Sequence, residues 1–109
     1  MSKEHYRPLP DNLTIDEAKW LSKITGKRQL GIFATEVIYQ DEPLGVTHYR
    51  DDRGPEGLIR TPLGGFFNHS EKPNCKLEEF EGMLHLKTIK EIYYGEEITC
   101  RYLSYNPTK

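Results

Sequence analysis

The sequence predicts a mainly β fold, built of short strands in small sheets with at most one or two short helices. Three observations carry that prediction. Runs rich in β-branched and aromatic residues are brief, as in residues 30–38 (LGIFATEVI) and 44–49 (LGVTHY). Glycines, prolines and charged clusters separate them at close intervals. Residues 75–92 then carry the alternation of a hairpin around Glu81-Gly82.

In chain order, Pro8 and Pro10 make residues 1–12 an extended N-terminal arm. Residues 13–24 admit two structures. Thr14 with Glu17 resembles a capping box and Leu13 with Ala18 a hydrophobic staple, which favours a helix over about residues 15–23. Leu13-Thr14-Ile15 equally suits a short strand. Gly26 ends the element either way. Residues 30–38 form a strand, 39–43 a polar turn and 44–49 a second strand. Residues 50–57 (RDDRGPEG) are a charged loop, and 61–65 (TPLGG) another irregular stretch. The two glycines of that stretch let the backbone turn sharply or approach a ligand closely. In the hairpin, Leu84, Leu86 and Thr88 alternate with His85 and Lys87, while Phe80 breaks the pattern of the outgoing arm and leaves room for a bulge. Tyr94-Gly95-Glu96 is a turn, and residues 98–103 a last short strand.

A chain of 109 residues fits one domain with a small core. Its charged fraction of 29% is high, but seven tyrosines, four phenylalanines and a tryptophan argue against disorder. The net charge of −2 offers no basic field, so neither nucleic acid nor an anionic membrane is an expected partner. Cys75 and Cys100 cannot make a disulfide scaffold, and no CxxC pair points to zinc; two separate thiols in a reducing compartment are expected. No apolar leader opens the chain, and no window approaches the roughly 20 apolar residues of a membrane span. A soluble, intracellular protein is expected.

Two segments stand out as chemistry. The first is Phe66-Phe67-Asn68-His69-Ser70-Glu71-Lys72-Pro73-Asn74, the second Gly95-Glu96-Glu97-Ile98-Thr99-Cys100-Arg101-Tyr102. Asn68 brings an acceptor and two donors to the edge of an apolar pair, and neutral His69 brings one of each, which suits a ligand with an amine and a carboxylate. Taken alone, the first segment reads as a capped turn and the second as a turn leading into a strand with a solvated acidic face. His5 reads as a surface residue, and His48 and His85 as satisfied side chains rather than ligands.

Taken together, FFNHSxxPN, a hairpin and GEEITxxY strongly resemble the SET domain, the fold of protein-lysine methyltransferases. Leu30-Gly31-Ile32-Phe33-Ala34 is similar to the end of that family's glycine-rich first motif. Pro8-Leu9-Pro10, Leu13-Thr14-Ile15, residues 59–65 (IRTPLGG) and Tyr105-Asn106-Pro107 resemble the very small stand-alone SET proteins of bacteria and viruses.

The resemblance implies a single SET domain over residues 1–109 with a C-terminal pseudoknot, a short tail over 103–109 and no zinc-binding module after it. It implies S-adenosylmethionine as cofactor, with Leu30, Gly31, Phe67, Asn68 and His69 around it and no metal. Tyr102 matches the active-site tyrosine; Tyr49, Phe67 and Tyr105 would line the channel for the substrate lysine. The implied reaction moves a methyl group to a lysine ε-amine of a protein or peptide, in a bacterial or virus-infected cytoplasm. With so short a tail, one wall of the substrate groove would come from that tail, from the substrate's partner or from a second subunit, as in a homodimer. Two departures are visible. Gln29 occupies the position of the first glycine, unless Gly26 with Lys27-Arg28-Gln29-Leu30 inserted after it takes that role, and Glu71 stands where many relatives have a zinc-binding cysteine. The first supports an alternative, a catalytically inactive SET-like domain that binds a peptide or protein.

Overall fold

The computed structural model describes residues 9–101. Its first strand, β1 (Leu13–Glu17), pairs antiparallel with β2 (Leu30–Ala34), with Leu13 opposite Ala34 and Ile15 opposite Ile32. The strand reading of residues 13–15 is therefore the right one, and the helix over 15–23 starts later, as α1 (Lys19–Thr25). Alternation decides this: Leu13 and Ile15 face the same way in a strand, and the buried Leu13, Ile32 and Ala34 close over one another. No side chain caps α1, so the Thr14–Glu17 capping box does not form. Gly26 does end the helix, in the left-handed conformation (φ 76°) with its N–H on the Ser22 carbonyl.

β2 stops four residues before Ile38. Ile38 instead makes an isolated antiparallel bridge to Ile92, with both backbone bonds at 2.8 Å. The main sheet has four strands in the order β4 (Leu58–Arg60), β3 (Pro43–Arg50), β7 (Met83–Thr88) and β6 (Cys75–Phe80). The β6–β7 hairpin turns through Glu81 (φ 53°) and Gly82 (φ 77°), two left-handed residues that match the twist of the strands they join. Its register runs without a break from Cys75–Thr88 to Phe80–Met83, so there is no bulge at Phe80, whose ring simply faces solvent. The irregularities fall between β3 and β7 instead, on either side of Gly45 and Val46.

Residues 61–65 hold more order than their glycines suggest. Pro62–Phe66 form a short helix, α2, with Pro62 in the first turn and the Thr61 hydroxyl accepting from the Gly64 N–H. The same hydroxyl donates to the Val46 carbonyl at 2.7 Å and so ties α2 to β3. Leu63 and Phe67 enter the core beside Leu13, Ile32, Ile38, Leu86, Ile92 and Ile98.

The last two strands complete the core. β5 (Asn68–His69) and β8 (Thr99–Cys100) run parallel, with the β6–β7 hairpin as the crossover between them. Just before β8, the Ile98 N–H reaches the Ile32 carbonyl (2.7 Å) and the Ala34 N–H the Glu96 carbonyl (2.9 Å). Residues 95–100 thus lie between β2 and β5, joined to both. Cys75 and Cys100 are free and buried, and burial pushes their thiols up to about 12 and about 11.

Burial gives His48 a measurable role in stability. The Thr47 hydroxyl donates to the Leu84 carbonyl, so it accepts from His48 Nδ1 at 2.8 Å. Burial first, and the positive Arg60 second, lower the His48 pKa below its ordinary 6.5. Well above pH 6.5 the ring is neutral in both states and stability does not depend on its titration. As pH falls through that value the unfolded chain takes up the proton first, so stability should decline across the window down to the folded pKa. Urea melts at pH 7.5 and 5.5 should show that decline in the native protein and a flatter response in His48→Gln.

Candidate functional site

The three sequence stretches that resemble known motifs come together where residues 95–100 cross between β2 and β5. β2 brings the Leu30 carbonyl and Gly31. β5 brings Asn68 and His69. The crossing segment brings Glu97, whose backbone bridges to Phe33.

Asn68 is the hub. Its side-chain Nδ2 donates to the Leu30 carbonyl (3.1 Å) and to Glu97 Oε2 (2.6 Å). Its Oδ1 makes no hydrogen bond among the described residues. Gly31 is buried beneath this pair, and a Cβ there would lie inside contact distance of Glu97 Oε2 and 3.0 Å from Asn68 Nδ2. The other carboxylate oxygen of Glu97 accepts from the Trp20 indole N–H at 2.7 Å, across a sequence separation of 77 residues. Asn74 secures the same segment through its side-chain amide, which donates to the Glu97 carbonyl (2.8 Å) and accepts from the Thr99 N–H (2.9 Å).

His69 makes a second, more exposed cluster. Its Nε2 meets Glu71 Oε2 at 2.7 Å, and Arg101 reaches the Glu71 carbonyl (3.1 Å) and carboxylate (3.5 Å). The His69 hydrogen bond, then the Arg101 charge, hold the Glu71 carboxyl below the usual carboxylate range. Glu71 therefore links the exit of β5 to the end of β8.

Gln29 also has a defined task. Its N–H donates to the Ser22 hydroxyl (2.8 Å) and its carbonyl accepts from the Ala18 N–H (2.9 Å), so its backbone is spent bracing α1.

Of the residues singled out in the sequence, Leu30, Gly31, Asn68 and His69 gather here. Phe67 is only 4% exposed and packs in the core directly before them. Tyr49 stands on β3 between Ile59 and Met83, with 46% of its surface exposed. Tyr102 and Tyr105 lie outside the described residues. Sequence reasoning missed Glu97, Trp20 and Asn74 as individual contributors. Glu97 belonged to a quoted motif, yet beside Glu96 it looked like solvated charge. Nothing local connects Trp20 to it.

The fold that brings these segments together has solved counterparts. Three solved structures are similar to it. One is the SET domain of the RIZ1 tumour suppressor (TM-score 0.65, 19% identity, covering 92% of this chain and 74% of that one). Another, of the same protein, is the methyltransferase domain of human PR domain-containing protein 2 (0.62, 16%, 93% and 84%). The third is a Plasmodium falciparum protein provisionally described as a histone methyltransferase (0.63, 17%, 88% and 96%). At these identities the likeness concerns the fold. No curated protein sequence matches the chain significantly. The family model for the SET domain matches residues 46–103, more than half of the sequence, and the chain belongs to the SET-domain family.

Proposed function

We propose that the chain is a protein-lysine N-methyltransferase that uses S-adenosylmethionine. The observation that carries this reading is the polar cradle at Gly31. The Leu30 carbonyl, the Asn68 amide and the Glu97 carboxylate converge over a backbone position with no space for a side chain. Acceptors dominate this donor set, which suits the ammonium end of the cofactor, and the unpaired Asn68 Oδ1 is a ready partner for it.

When bound, S-adenosylmethionine supplies an electrophilic methyl group on a positive sulfur. The protein's part is positioning. Leu30, Gly31, Asn68 and His69 hold the cofactor, with Phe67 as the apolar backing of that wall. Tyr49, Phe67 and Tyr105 shape the approach of the substrate lysine, and the Tyr102 hydroxyl orients its amine. Free lysine has a pKa near 10.4, so the amine must be made neutral before it can attack; an apolar channel next to a positive sulfur disfavours the ammonium form. The proton leaves to water, since a tyrosine with a pKa near 10 is a poor base at neutral pH. The partner is a lysine-bearing protein or peptide.

One observation favours the alternative of an inactive peptide-binding domain: the backbone of Gln29, at the first motif position, is spent on α1 and leaves no free group there. One experiment separates the readings. Titration with S-adenosylmethionine should release heat and raise the melting temperature, by the equivalent of about 2.7 kcal/mol at a hundredfold excess over Kd. Methylation of a lysine peptide array, read by mass spectrometry, should follow, and Tyr102→Phe should reduce it at least tenfold. Absence of both heat and stabilisation would exclude the enzyme. Binding without methyl transfer to any peptide would favour the inactive domain.

A further inference from the structure

We infer that Glu97 is a positioning residue that locks the Asn68 amide so that only its carbonyl oxygen is left for a ligand, and thereby selects a ligand that presents an ammonium donor. The inference rests on the S-adenosylmethionine reading above.

An asparagine side chain can turn over and exchange its donor and acceptor ends, so its neighbours decide what it shows a ligand. At Asn68 the two neighbours are the Leu30 carbonyl and the Glu97 carboxylate. Neither can donate. Both Nδ2 hydrogens must therefore point at them, and the opposite orientation would set Oδ1 against two other oxygens. What remains for a ligand is an acceptor alone. Without Glu97 the amide would keep a single contact at Leu30 and a spare N–H, and its preference between ammonium and carboxylate would weaken.

Glu97 is itself held on three sides. Trp20 donates to Oε1, Asn74 donates to the main-chain carbonyl, and the backbone bridges to Phe33. Two donors from distant parts of the chain thus meet on two different oxygens of one carboxylate. That requirement makes glutamine a poor substitute, although it has the same shape. An amide has a single oxygen, so a glutamine must turn N–H against N–H at either Trp20 or Asn68. Removing the indole donor lifts the conflict and frees the amide oxygen for Asn68.

The test is calorimetric titration of the native chain, Glu97→Gln, Trp20→Phe and the double variant. Each is titrated with S-adenosylmethionine and with its analogue lacking the α-amino group. The native chain should prefer the aminated ligand by at least about tenfold, the scale of one hydrogen bond to a charged group. Glu97→Gln should lose most of that preference by weakening S-adenosylmethionine alone, and Trp20→Phe in the same chain should restore much of it. Equal weakening of both ligands would reduce Glu97 to a structural role and overturn the inference, as would an unchanged preference in Glu97→Gln. Should that variant fail to fold, equal affinity of the native chain for the two ligands would overturn it as well. A native chain that binds neither ligand would instead remove the methyltransferase reading on which the inference stands.

Discussion

Gly64→Ala is expected to destabilise this domain strongly for the addition of a single methyl group. Gly64 sits in α2 where the helix lies across β3. A Cβ there would fall far inside contact with the Thr47 carbonyl oxygen and 2.8 Å from its carbon. These are backbone atoms of a fully buried residue whose hydroxyl is already committed to Leu84, so β3 cannot move aside. Instead α2 must lift, and it would draw Leu63 and Phe67, 3% and 4% exposed, away from the core. Overpacking of this kind reaches about 3 kcal/mol. In a domain of this size that lowers the melting temperature by roughly 12–24 °C. Gly65→Ala is the control: nothing lies within 4 Å of its Cβ, so the change should stay within about 0.5 kcal/mol of neutral. Thermal melts of the two variants measure the contrast, and similar melting temperatures would refute the packing argument.

Gly31→Ala should do the reverse, sparing the fold and damaging the site. Its Cβ would press on Glu97 Oε2 and Asn68 Nδ2, the ends of side chains, which yield by giving up the hydrogen bonds that hold them to Trp20, Leu30 and each other. The expected result is a melting temperature within a few degrees of the native protein. S-adenosylmethionine should bind between tenfold and a hundredfold more weakly, which corresponds to about 1.4–2.8 kcal/mol. An unchanged Kd would mean that the wall formed by Leu30 and Gly31 does not contact the cofactor.

These two glycines also mark what could be read from the chain. Gly31 could be singled out from the sequence because it lies in a segment similar to a known motif. Gly64 could not, because its constraint comes from a strand more than a dozen residues earlier. The Glu81-Gly82 hairpin was legible for a related reason: turn chemistry and alternation agree over a short span. Residues 13–17 show the opposite case. Their local signals suit a helix start and a short strand equally, and the partner that makes them a strand, Ala34 to Leu30, lies beyond any local window. α2 escaped notice because its two glycines are poor helix formers, and the helix depends on the Thr61 cap, Pro62 and contact with β3. In the site, the residue types were readable at Asn68 and His69. The Trp20–Glu97 bond was not, since it joins α1 to the segment before β8, and these meet only in the finished fold.

The crossing of residues 95–100 between β2 and β5 has a kinetic consequence. The β1–β2 and β6–β7 hairpins are local in sequence and can close early. The cradle cannot, because its walls come from three parts of the chain and its central member bonds to two neighbours that are both distant from it in sequence. Pairing between such distant segments must meet its loop-closure entropy before the contacts reward it, which makes it slower than local pairing. A partly folded chain could therefore hold much of the sheet while having no affinity for a ligand. Binding would then report completion of folding, and a ligand that stabilises the cradle would slow the unfolding of this domain by retaining the segment that arrives last.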